Sequence, residues 1–187
     1  GNVQVSNNII ADCAFTAIRS NSGSNIQIIG NNCARSGETA IYSEFAFEGA
    51  VIANNVVQGA ANGISIANFN EGGRLSTVTG NIVRDLSEKG PYPADSPGFG
   101  VGIHAEADTA ITANTIENAP LYGINLGWGP YLRNVAASGN VIRKCGDGTA
   151  VTVAAGAGAA VITGYVMEGA NREAGTGHKW AKIVTGD

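Results

Sequence analysis

The sequence predicts an all-β chain: a single-stranded parallel β-helix of about seven coils over residues 1–168, followed by a C-terminal cap or tail over residues 169–187. Three observations predict it. One stretch, VGIHAEADTAITANTI from Val101 to Ile116, recurs in altered wording from Thr16, Thr39, Asn62 and Tyr122. An asparagine closing the second turn of this unit falls at Asn8, Asn32, Asn55, Asn81, Asn114 and Asn140, with Gly164 in the same place further on, at intervals near two dozen residues. The one long interval, Asn81 to Asn114, holds an insertion from about Ser87 to Phe99. Finally, the segments between turns alternate with period two and show no helical stripe. A repeat of this size, built from short β segments, marks a solenoid whose coils bury each other's apolar faces.

Each coil reads as three strands. The first carries a small residue and then Ile or Val: Ala17-Ile18, Ala40-Ile41, Gly63-Ile64, Gly102-Ile103, Gly123-Ile124 and Ala150-Val151. Because side chains alternate along a strand, each Ile or Val faces the core with the residue two further on, and the residue between them faces outward. The second strand is represented by Ile26/Ile28, Val51, Val78, Ile111, Val135/Ala137 and Val161, and the third by Ile9/Ile10, Val56/Val57, Ile82/Val83, Ile116 and Val141/Ile142. Asparagine suits the turn because it tolerates the left-handed backbone region, and because its amide can bond to the coils above and below, as in a stacked ladder. These asparagines are expected to serve stability.

Composition fits this reading and narrows the function. With 44% hydrophobic residues in 187, one continuous core is affordable to the chain and a second domain is not expected. Only 14% of residues are charged and 6% aromatic, against 27 glycines, which suits tight turns and thin strands. The net charge of -4 offers no basic patch, so nucleic acid is not an expected partner, and polyanions are mildly disfavoured. No apolar run is long enough to insert in a bilayer. The chain opens inside a coil, so an N-terminal part, with any targeting sequence, is expected to precede it. Cys13, Cys33 and Cys145 are odd in number, and Cys13 and Cys145 fall five coils apart, so buried free thiols are expected.

The motifs GIHA and GINL, each followed by ITAN or ASGN, resemble right-handed parallel β-helix proteins of the pectate-lyase-like superfamily. The likeness is to the short repeats of carbohydrate-binding and sugar-hydrolase domains and of periplasmic copper-assembly proteins. The chain also looks like the repeat region of uncharacterised twin-arginine-exported proteins. This resemblance spans about Asn2 to Glu168 and implies a right-handed solenoid, export to the periplasm or outside, and a substrate cleft over the first strand, walled by flanking loops. The Ser87–Phe99 insertion and the loops NFNEGGRLS from Asn68 and GWGPYLRN from Gly127 adjoin that strand. Two superfamily signatures are missing. No aspartate cluster suited to calcium lies on the first strands, and Ile103 to Glu106 read I-H-A-E where alginate epimerases carry Asp-Pro-His-Asp.

The outward column of the first strand is Arg19, Tyr42, Ser65, His104, Asn125 and Thr152, and a second column two residues on contains Asn21, Glu44, Ala67, Glu106, Gly127 and Ala154. His104 and Glu106 share a strand face about 7 Å apart. A histidine beside a carboxylate is a candidate acid/base pair, since imidazole titrates near neutrality and the carboxylate can raise its basicity. Tyr42, Glu44 and Arg19 are further catalytic candidates. Glu44 and Glu106, two coils or about 10 Å apart, have a spacing suited to inverting glycoside hydrolysis. Asn125, Ser65, Trp128, Tyr131 and Tyr92 are expected to bind substrate, with Phe69 and Phe99 as further aromatic candidates for stacking on sugar faces. No metal site or cofactor is expected, because His104 and His178 are far apart and no ligand spacing recurs. Trp180, Ile183 and Val184 are expected to cover the last coil. The function expected is a β-helix that processes or binds polysaccharide, either a lyase or a hydrolase. The alternatives are a non-catalytic exported scaffold and a self-associating appendage, the latter disfavoured by the few exposed apolar residues.

Overall fold

The computed structural model describes residues 1–68, 72–95, 97–152, 154–169, 172–176 and 183–185. Its strands form three parallel sheets of seven, eight and seven strands, each strand pairing with its counterparts one coil before and after. The first sheet contains Ile18–Asn21, Thr39–Glu44, Asn62–Ala67, Val101–Ala105, Tyr122–Leu126, Asp147–Val151 and Arg172–Thr176. The second runs from Gln4–Ser6 to Ile183–Thr185, and the third from Ile9–Ala11 to Val166–Glu168. The architecture is the expected all-β parallel β-helix. His178, Lys179, Trp180 and Phe69 lie outside the described residues.

Alternation along the strands fills the core. Ile41, Ile64, Ile103 and Ile124 enter from the first sheet, Ile28, Ile52, Val78 and Ile111 from the second, and Val57, Val83, Ile116 and Ile142 from the third, all fully buried. Each buried side chain of this size is worth about 1.5–3 kcal/mol. The small residue before each first-strand isoleucine also has a steric cause. A Cβ on Gly102 would lie 2.4 Å from the Gly123 carbonyl oxygen and 2.7 Å from Ile116 Cγ2, so the third-strand side chain takes the space that glycine leaves.

The asparagine ladder is present with one member corrected. Asn8, Asn31, Asn55, Asn81, Asn114 and Asn140 form it, and Asn32 instead opens a third-sheet strand and is exposed. The physical reason lies one residue earlier. The residue before each ladder asparagine takes the left-handed backbone: Asn7, Gly30, Asn54, Gly80, Ala113 and Gly139, with φ between 55° and 70°. In Gly30-Asn31-Asn32 the glycine adopts it at least cost, which makes the next residue the ladder member. Asparagine thus serves the ladder through its amide, and the left-handed position belongs to its predecessor. Gly164, φ 65°, occupies that preceding position too, so Tyr165 stands where the ladder residue would.

The corrected phase places Cys33 two residues after Asn31, the offset of Val57, Val83, Ile116 and Ile142, and Cys33 is accordingly buried in the core. All three thiols are free, and Cys145 is buried, but Cys13 is half-exposed, near the start of the stack where fewer coils cover it. In the coil after Tyr122–Leu126, Asn125 pairs with Ala150, so Ala150 replaces Thr152 in the outward column. A slip of two residues leaves the inward and outward faces unchanged, which is why alternation alone could not reveal it.

A cleft on the first sheet lined by carboxylates

The outward face of the first sheet carries a cavity of about 470 Å³. Register places Tyr42, Ser65 and His104 side by side on consecutive strands, with Glu44 and Ala67 in the adjoining row. Glu106 continues that row, its backbone N–H donating to the Ile66 carbonyl. The Ser87–Phe99 insertion makes one wall through Tyr92, Ala94, Asp95, Pro97, Gly98 and Phe99, while Phe45 and Trp128 line the cavity with Ala67. Phe99 is buried, and Gly90 lies so close to its ring that a Cβ there would come within 2.0 Å of Phe99 Cε2, which fixes the insertion's fold. Tyr92 packs on Phe99 with ring centroids 5.7 Å apart, and its hydroxyl donates to Glu38. Burial and this bond push the Tyr92 hydroxyl up to about 12. Near the other wall, Asn68 donates to the Gly73 and Ala107 carbonyls at 2.8 and 2.7 Å, pinning the ends of its loop.

Both outward rows lie under the loops, and this revises the expected chemistry. His104 Nε2 is shut off from solvent and has no hydrogen-bond partner, while the ring bonds to the Gly127 backbone. Desolvation pulls its pKa down to about 4, so the imidazole is neutral near pH 7. The expectation of a raised basicity is therefore corrected: loss of water outweighs the bond to the Gly127 backbone. His104 enters the site as a lone-pair acceptor.

Glu106 is only 4% exposed and Glu44 only 3%. Arg19 grips Glu44 with two bonds, Nε to Oε1 at 2.7 Å and Nη2 to Oε2 at 2.9 Å, and Asn21 donates to the same carboxylate at 3.3 Å. The Arg19 guanidinium also lies 5.1 Å from the centre of the Tyr42 ring. The Tyr42 hydroxyl is raised by burial, opposed by its bond with Ser65. Ser65, Trp128 and Tyr92 line the cavity; Asn125 and Tyr131 do not. Asn125 is fully buried, donating weakly to the Gly127 carbonyl and accepting from Thr152 at 3.2 Å. Tyr131 stacks on Trp128 at 5.9 Å and 11° and so acts on the site through that ring.

Two lining carboxylates escaped the sequence reading, Glu38 and Asp95. Glu38 is 4% exposed and accepts bonds from Thr16 and Tyr92. It immediately precedes the first strand, at a position where the other coils hold Phe15, Ala61, Gly100, Leu121 and Gly146. A charged residue at a position otherwise uncharged was the available signal. Asp95 sits in the insertion, which has no counterpart in other coils to align with. Among the described residues, no group of three or more His, Cys, Asp and Glu side chains is arranged to hold a metal ion.

Stacked three-strand coils, with loops walling a cavity on one sheet, define a parallel β-solenoid. Residues 1–142 match the family model of the right handed beta helix region, and the chain belongs to that family. The match supplies the hand of the coil. Neither curated proteins nor solved structures gave a match.

Proposed function

We propose that this β-helix binds an extended glycan in the cleft over its first sheet and hydrolyses it there. One observation carries the reading: three glutamates, Glu38, Glu44 and Glu106, each under 5% exposed, line a single loop-walled cavity. Buried carboxylates are rare unless the site needs them. Trp128 offers a flat apolar face for a sugar ring, and the polar groups around it are mostly acceptors for sugar hydroxyls. Glu44, held in place by Arg19, would take a proton from the attacking water. Glu106, two strand spacings or about 10 Å along the row, would protonate the departing glycosidic oxygen. Retention through a covalent intermediate needs carboxyls about 5 Å apart, so inversion is the outcome this spacing favours.

The lining favours hydrolysis over lyase chemistry. None of the described lining residues is a lysine or arginine that could pair with a uronate carboxylate. A second reading, a non-catalytic exported scaffold, is favoured by the Arg19–Glu44 pair, whose two bonds engage both carboxylate oxygens. A polysaccharide panel read for new reducing ends, and for unsaturated uronate absorbance, decides between them. Glu106→Gln should abolish reducing-end release while leaving binding intact; silence of the native chain across the panel refutes the enzymatic reading.

A further inference from the structure

The cavity has an unbalanced inventory of charge and hydrogen-bonding groups. Glu38, Glu44, Asp95 and Glu106 all line it, and no described lining residue is cationic. Arg19 is bonded to Glu44 and lies 3.9 Å from Glu38. His104 lines it too and adds no charge, its Nε2 being buried and unpartnered. A carboxylate or a neutral imidazole nitrogen of this kind only accepts hydrogen bonds. A ligand that fills such a space must bring donors, and positive charge would offset the surplus of carboxylates in surroundings where screening by water is reduced.

Resting on the glycan reading above, we infer that the ligand is an oligosaccharide with free, protonated amino groups, a glucosamine-type chain, and not a neutral or uronic one. Its ammonium groups face the insertion side of the cleft, where Glu38 and Asp95 stand with the Tyr92 ring. An N-acetylated sugar replaces that ammonium with a neutral, bulkier amide and loses the attraction. A uronic sugar adds carboxylates to a lining already rich in them.

Isothermal titration of the full chain tests this in slightly acidic, low-salt buffer, with glucosamine, N-acetylglucosamine and galacturonate pentasaccharides and with spermidine. The glucosamine pentamer should bind at least about tenfold more tightly than its acetylated counterpart, and the preference should shrink as salt rises. Asp95→Asn, on the exposed insertion, and Glu38→Gln should each reduce the preference about threefold or more. The Asp95 variant keeps the test valid if the buried Glu38 variant fails to fold. Equal affinity for the two pentamers overturns the inference and leaves the glycan reading standing. Spermidine binding as tightly as the amino sugar would show an amine site and overturn the sugar assignment. Failure of every saccharide to bind the folded chain overturns both.

Discussion

Removing one rung of the asparagine ladder should cost far more in the middle of the stack than at its end. Asn114 Nδ2 donates to Asn140 Oδ1 at 3.0 Å and to the Val78 carbonyl at 3.0 Å, while its Oδ1 accepts from Asn81 N at 3.0 Å and Asn81 Nδ2 at 2.9 Å. Asn114→Ala erases all four bonds and strands buried donors and acceptors on both neighbouring coils. At about 1 kcal/mol for each net bond, the loss is about 4 kcal/mol, and more if no water enters to satisfy the stranded groups. Asn8 is exposed at the first rung; its Nδ2 donates to Asn31 Oδ1 and the Ser6 carbonyl. Asn8→Ala should therefore cost about 1 kcal/mol or less, since water takes over. Urea unfolding at neutral pH, comparing midpoints at fixed slope, measures both. Similar losses for the two variants, or under about 1 kcal/mol for Asn114→Ala, would refute the view that the ladder's buried interior bonds hold the coils in register.

Other consequences are as measurable. His104 has a folded pKa near 4 against an unfolded value of about 6.5, so the unfolded chain binds the extra proton first. Its contribution to stability is present above pH 6.5 and is lost as pH falls toward 4, by up to about 3 kcal/mol; His104→Gln should flatten that part of the stability–pH curve. Arg19→Ala leaves Glu44 buried without its cation and should destabilise the fold by roughly 2 kcal/mol, moderated because the Arg19 side chain is 48% exposed. Gly102→Ala must push apart the Gly123 carbonyl and Ile116, and thermal unfolding should show a loss of about 1–3 kcal/mol or more. Burial pushes the Cys33 thiol up to about 11 and also raises Cys145, so a thiol reagent at mildly alkaline pH should label Cys13 alone until the chain unfolds.

The sequence made the architecture legible because a solenoid writes its geometry as a period. Inward isoleucines, glycines at the tight corner and the turn asparagines all recur in phase, so each coil confirmed the next. Phase within a single turn was harder to read. Gly30-Asn31-Asn32 offers two asparagines, and only knowing that the left-handed residue precedes the ladder residue selects Asn31. Alternation showed that Tyr42, His104, Glu44 and Glu106 leave the core, yet it says nothing of what covers them outside. The covering comes from the insertion and from loops of irregular sequence, and it turns His104 from a titrating base into a neutral acceptor. Glu38 stayed hidden because it precedes its strand, outside the alternating columns.

Although 33 residues separate Asn81 from Asn114, their amides still meet at 2.9 Å. The extra length of chain is spooled entirely outward and leaves the stack's register untouched. Scaffold and cavity wall are thereby uncoupled: the segment that carries Asp95 and Tyr92 can be lengthened, shortened or exchanged while the rungs beneath it stay in place.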